Sequence, residues 1–170
     1  MSRSSYQAES SPDPLFDDPI GMIEEYAIHN NLQLDRTGDN EVMGEFPGQW
    51  SNYRLWVVYH EETGFLQYNC YMDVRIPDRS SAAIAELMTL VNERIWLGHF
   101  EIWGEEQVPL FRVVQPLRGS RLVPEQVEDI MTSLFHEVER FYPAVQWVVW
   151  GGKSPKEAIS AAIMETDGEA

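Results

Sequence analysis

Two runs of strict alternation constrain this chain most. Tyr53, Leu55, Val57 and Tyr59 fall on one side of an extended stretch, and Leu66, Tyr68, Cys70, Met72 and Val74 fall on one side of the next. Only the polar turn Glu61-Glu62-Thr63-Gly64 separates them. Successive strand side chains point to opposite faces, so each run marks a strand with one buried face. A connection this short joins antiparallel neighbours, because parallel strands need a crossover of a dozen residues or more. The nucleus of the fold is therefore an antiparallel hairpin that needs a layer packed against it.

Two further strands precede the hairpin, Leu32 to Arg36 and Glu41 to Phe46, separated by the turn Thr37-Gly38-Asp39-Asn40 and closed by Pro47-Gly48. Helical spacing brackets this block. Asp18-Pro19 suits a helix start, since Asp caps free N–H groups and Pro lacks the N–H that would be unpaired there. Ile20, Ile23, Tyr26 and Ala27 then form a stripe that Asn30-Asn31 ends. Ile84, Leu87, Met88, Val91 and Ile95 predict a second helix, from Asp78 or Ser80 to Leu97, with Gly98 as its stop. Strands at His99 to Gly104 and Val108 to Gln115 follow. Pro109 and Pro116 cannot donate to a ladder and point to an edge strand or to strand ends. A third helix opens at Pro124, its buried face formed by Val127, Ile130, Met131, Leu134, Val138 and Phe141. Pro143 is expected to kink it or to start a new segment, Ala144 to Trp150. Ser154-Pro155-Lys156-Glu157 reads as a capping box for a last helix. The order predicts an α+β domain, an antiparallel sheet with packed helices, over 18–164. Residues 1–17 read as a disordered tail and 165–170 as a short acidic one.

Charge enters where function is concerned. The 170 residues carry 28 acidic and 12 basic side chains, a formal net charge of −16. Most of it belongs to the body between the two tails. A general nucleic-acid binder needs a basic face to meet phosphate, and a polybasic membrane-surface protein needs the same, so neither nucleic acid nor membrane is an expected partner. No run approaches the ~20 apolar residues of a bilayer span, and Met1 to Pro14 lacks the apolar stretch of a signal peptide. A cytoplasmic protein is the expectation. One cysteine, Cys70, excludes an internal disulfide framework and reads as a small buried hydrophobe.

The search for chemistry comes out empty. His136-Glu137 lacks the second His four residues on that a zinc-protease helix requires, because position 140 is Arg. His99 and Glu101 share a strand face, but two ligands do not close a metal site. Gly151-Gly152-Lys153-Ser154 superficially matches the end of a phosphate-binding loop. Its upstream glycine would fall at Trp147, and a helix stop followed by an N-cap explains the same residues. No Gly-x-Ser-x-Gly elbow occurs. The expectation is no enzyme, no cofactor and no metal. Trp96, Trp103, Trp147 and Trp150 lie near element ends. Most suit a core or its rim, and a minority suit a partner-binding patch, for which Trp103, Trp147 and Trp150 are the candidates.

Two strings carry a family resemblance. Asn92-Glu93-Arg94-Ile95-Trp96-Leu97-Gly98-His99-Phe100-Glu101-Ile102-Trp103 resembles the middle of YbjN-domain proteins in their alphaproteobacterial form. So does the run from Arg140-Phe141-Tyr142-Pro143 to Gly151-Gly152-Lys153-Ser154, with its Glu157-Ala158 continuation. The resemblance spans roughly Asp18 to Ala170. The family is labelled a bacterial sensory transduction regulator and has no agreed biochemical activity. Its fold resembles type III secretion chaperones, with the order helix, strands, helix, strands, helix. That implies a compact, acidic homodimer that binds a segment of another protein. The acidic body and the aromatic supply make a basic or amphipathic segment the expected one, met on the exposed sheet face or near Trp147 to Trp150. It carries no catalytic motif over to this sequence. A non-enzymatic binding or regulatory module is the leading reading, beside an enzyme with an unrecognised site or a subunit that serves assembly.

Overall fold

A computed structural model describes residues 18–167. The assigned tail 1–17 and the end of the acidic tail, 168–170, lie outside the described residues. Helix α1 (Pro19–His29) begins where Asp18 accepts a hydrogen bond from the Ile20 N–H at 3.1 Å. Burial alone would raise the Asp18 carboxyl. The Gly21 N–H, the Arg36 guanidinium and the Ile20 N–H outweigh it and hold the group below the usual carboxylate range. Four strands follow: β1 (Gln33–Gly38), β2 (Glu41–Pro47), β3 (Asn52–His60) and β4 (Phe65–Tyr71). A single 3-10 turn, Asp78–Ser80, then leads into α2 (Ser81–Asn92). The remaining elements are β5 (His99–Trp103), β6 (Val108–Pro116), α3 (Pro124–Val149) and α4 (Pro155–Asp167).

The strands form one sheet in the order β1-β2-β3-β4-β6-β5, and every pairing is antiparallel. The predicted α+β architecture is the observed one. Register places Leu55 opposite Cys70 and Val57 opposite Tyr68, with Phe111 and Val113 next along the same rows. All of these are buried, as are Ile84, Leu87 and Val91 of α2 and Ile130, Leu134 and Val138 of α3. The core is thus the space between one sheet face and a helix layer, with α4 packed on α2 and α3. Cys70 is fully buried there, and desolvation pushes its thiol well above the usual range, with Glu139 adding to the effect. It is an inert core residue.

Three local readings narrow or change. α3 is one continuous helix of 26 residues through Pro143, with no break before Ala144. Pro143 and the residues after it through Val145 are buried, and the packing of that turn outweighs the local cost of a helical proline. α2 stops at Asn92, short of Leu97. The Asn92 side chain instead bonds both backbone groups of Phe100, accepting from its N–H at 2.7 Å and donating to its C=O at 3.0 Å. Ile95 therefore packs on the core from a turn and Trp96 is left fully exposed. The prolines of β6 sit at the ends of an interior strand, so the choice between edge and ends resolves to ends.

The Tyr68 hydroxyl is fully buried and meets no hydrogen-bond partner among the described residues. Desolvation raises its pKa well beyond that of a free phenol. Removing a desolvated, unpaired hydroxyl removes a cost of about 1–3 kcal/mol. Tyr68→Phe is therefore expected to leave stability unchanged or raise it by about 1 kcal/mol in urea unfolding. A loss of more than 1 kcal/mol would show that the hydroxyl is bonded.

Candidate functional site

The helices lie on one face of the sheet, and among the described residues no helix covers the other. That face carries the residues that alternate with the buried ones: Arg54, Trp56 and Val58 on β3, Gln67, Asn69 and Tyr71 on β4, Arg112 and Val114 on β6, and His99, Glu101 and Trp103 on β5. A strand face that merely met water would be polar throughout. This one carries aromatic side chains and two arginines at its centre.

A chain of hydrogen bonds crosses it. Asn69 is fully buried although it points away from the helix layer. Its Oδ1 accepts from Gln67 Nε2 at 2.9 Å and from Arg112 Nε at 3.0 Å, and its Nδ2 donates to the Trp56 carbonyl at 3.2 Å. Arg112 Nη2 also pairs with Glu101 Oε1 at 2.7 Å, and the other Glu101 oxygen lies 3.3 Å from His99 Nε2. At the opposite end His60 Nε2 lies 3.3 Å from Gln67 Oε1. The Asn69 amide is satisfied, so burying it incurs little net cost, and Arg112 is held in one orientation by two acceptors.

The aromatic side chains bracket this network. Trp56 donates through Nε1 to Glu41 Oε2 at 3.2 Å. Tyr71 and Trp103 meet edge to face, 6.5 Å between centroids at 76°. Arg54 lies 5.0 Å above the Tyr71 ring and Arg112 5.9 Å above the Trp103 ring, cation–π distances. Burial raises the Tyr71 hydroxyl above its usual range, against the opposing pull of Arg112 and Arg54. Beside Arg54 and Tyr71 the face dips into a cleft of ≈ 260 Å³ that Asp73 and Arg75 also line. A surface of fixed arginines and aromatic rings suits recognition of another polymer's side chains better than bond-breaking chemistry.

The three tryptophans singled out in the sequence do not form one patch. Trp103 belongs to the open face. Trp147 and Trp150 belong to the helix layer on the other side of the sheet. Trp147 is partly buried against the core, with Lys153 Nζ 4.5 Å from its ring centroid. Trp150, 59% exposed, caps the C-terminal end of α3. Gly152, at φ +63°, turns the chain so that the Lys153 N–H reaches the Trp147 carbonyl at 3.1 Å. Ser154 and Glu157 then cap α4 reciprocally. The Gly-Gly-Lys-Ser run is thus a helix stop and a helix start. His99 and Glu101 do meet, but Arg112 holds the Glu101 carboxylate from the other side. Among the described residues no three His, Cys, Asp or Glu side chains gather that could hold a metal ion. No described helix is long and apolar enough to cross a membrane.

Trp56, Asn69, Tyr71 and Arg112 were not singled out from sequence. The available signal was parity: once Tyr53, Leu55 and Val57 are assigned inward, Trp56 is an aromatic residue on the outward side.

Comparison with protein families matches residues 19–147 to the YbjN model, described as "Putative bacterial sensory transduction regulator". The chain belongs to the YbjN family. The match covers the open sheet face in full and α3 as far as Trp147. Among solved structures, this YbjN chain is similar to one described as the crystal structure of the ExsC-ExsE complex. The identity is 15% and the TM-score 0.44, over 70% of this chain and 89% of that one. No curated protein matches the chain.

Proposed function

We propose that this YbjN chain is a non-enzymatic, cytoplasmic regulatory module that acts by binding another protein through its open sheet face. The observation that carries the reading is the set Trp56, Tyr71, Trp103, Arg54 and Arg112 on a sheet face that no described helix covers. Aromatic residues and arginine supply most of the affinity at protein interfaces, and they do so best when held rigid before the partner arrives. The Asn69 network does this for Arg112. The family description, a sensory transduction regulator, agrees with a role exerted through a partner.

The partner is a basic or amphipathic segment, steered by the acidity of the chain, and the module works as a homodimer. Affinity capture from the source cell with wild type, Trp103→Ala and Arg112→Ala tests the binding. Wild type is expected to retain a partner at low salt, less of it at physiological salt, where screening shortens to ~8 Å. Both variants are expected to lose it. Equal recovery by all three proteins would sink the assignment to this face. Light scattering at tens of micromolar is expected to report twice the mass of one chain, and a monomer mass would remove the dimer.

A further inference from the structure

We propose that the open edge of β6, beyond the start of β5, is a docking groove for an extended partner segment with alternating apolar and basic side chains. The proposal rests on the protein-binding reading and adds a second contact to it, with a defined backbone geometry. β5 pairs with β6 only from His99↔Arg112 to Trp103↔Val108. β6 nevertheless runs on to Pro116 and stays paired with β4 up to Phe65↔Pro116. Among the described residues, its last residues thus have a strand neighbour on one side only. The Arg112 carbonyl faces the β5 side, 2.6 Å from where a Cβ on Gly98 would stand. Strand alternation turns the Val114 N–H and C=O to that same side, past the point where β5 has left the sheet.

A groove of ≈ 300 Å³ adjoins this edge. Leu97, Val114, Pro116 and Ile130 give it apolar walls, and Gln115 and Asp129 its polar ones. Leu97 and Val114 are 40% and 45% exposed, and Trp96 beside Leu97 is fully exposed. A bare strand edge flanked by apolar side chains invites pairing with another chain.

Charge selects the occupant. Among the described residues Asp129 is the one ionisable residue lining the groove, and Glu125 and Glu128 precede it on α3. The Gln115 side-chain carbonyl is buried and accepts from no donor among the described residues. The groove therefore offers acceptors and negative charge and asks for donors. A second copy of this chain, itself at −16, would bring the same acidic edge against itself. In an added strand, residues alternate between the helix side, where Asp129, Gln115 and Ile130 stand, and the open face, where Val114 stands. Lysine or arginine suits the first set and a β-branched residue the second.

The probe is a labelled heptapeptide of alternating valine and lysine, with a valine–glutamate heptapeptide as control, on the full chain. Fluorescence anisotropy is expected to show saturable binding of the first and at least tenfold weaker binding of the second. Hydrogen exchange at the Val114 amide is expected to slow about tenfold at saturation, as for an amide newly placed in a ladder. Val114→Pro removes that edge-facing N–H, and Leu97→Lys sets a positive charge, the sign of the peptide's own lysines, on the groove wall without touching the backbone. Each is expected to weaken binding about tenfold. If Val114→Pro misfolds by circular dichroism, Leu97→Lys and the exchange measurement carry the test. Absence of binding, or binding that leaves Val114 exchange unchanged, overturns the groove. So does binding equal in wild type and Leu97→Lys. Loss of a wild-type dimer in either variant overturns it too, by giving the edge to a second copy. None of these results touches the open face, which Trp103→Ala and Arg112→Ala report on separately.

Discussion

Replacing Phe111 with alanine is expected to lower the unfolding free energy by about 3–5 kcal/mol, the range for truncating a buried phenylalanine. The ring is fully buried and sits on the strand that locks β5 to the rest of the sheet. Its centroid is 4.8 Å from that of Phe100, and Phe100 in turn stands edge-on to Phe141 of α3 at 6.0 Å. Phe111 thus joins β6, β5 and the helix layer through one aromatic stack. Gly98 is part of the same packing: at φ +81° it passes so close that a Cβ would lie 2.8 Å from the Phe111 ring edge. The surrounding groups are backbone and rings, which collapse poorly into a cavity, so the upper part of the range is the expected one. Phe111→Leu keeps most of the volume and is expected to cost less than about 1.5 kcal/mol. Urea unfolding reads both as a shift in midpoint at constant slope. An alanine variant that loses under 1 kcal/mol would mean that Phe111 does not close the core.

Asn69→Leu is expected to cost roughly 3 kcal/mol, although leucine matches asparagine in shape and burial favours it. Three hydrogen bonds end there, one of them from a charged donor. Their loss leaves the Trp56 carbonyl, Gln67 Nε2 and Arg112 Nε short of partners near the sheet surface, and an unsatisfied buried polar group costs about 1–3 kcal/mol. The cost is a property of the network, so it is expected to shrink when the network is removed as a whole. In the pair Asn69→Leu with Arg112→Met, the combined loss should fall at least 0.5 kcal/mol below the sum of the single losses. Strict additivity would show that the two side chains act independently, and that Arg112 is not oriented by Asn69. The variant also bears on binding: Arg112 keeps the Glu101 carboxylate and the Trp103 ring but loses the acceptor that fixes its Nε, and affinity for the captured protein is expected to fall with it.

How far the candidate site could be read from sequence differs residue by residue. Trp103 is a sequence candidate because a tryptophan near a strand end suits an interface, and it does lie on the open face. Trp147 and Trp150 are candidates on the same ground and lie in the helix layer. Nothing local separates these cases, because a tryptophan near an element end can serve the core, its rim or a partner. Asn69 gave no signal. It stands in an apolar run, and what makes it structural is Arg112, which is 43 positions away and reaches it only because β6 pairs with β4. The groove at the β6 edge was equally silent, since it depends on where β5 stops.

What depends on near neighbours was legible without the fold. Strand alternation and helical spacing named the inward residues of β3, β4, α2 and α3. The Asp18 cap, the Gly152 stop and the Ser154–Glu157 box marked helix ends, since each is satisfied within a few residues. Only the tertiary structure decided that β6 inserts between β4 and β5, because an antiparallel strand can pair with either neighbour at similar local cost. It decided that α3 continues through Pro143, where burial of the surrounding turn outweighs a local penalty. It decided that α2 ends at Asn92, where one amide satisfies two backbone groups of a strand eight residues on. It also decided which sheet face stayed uncovered. That choice follows from how four amphipathic helices share one apolar surface, and a surface shared among distant segments leaves no periodic trace in any one of them.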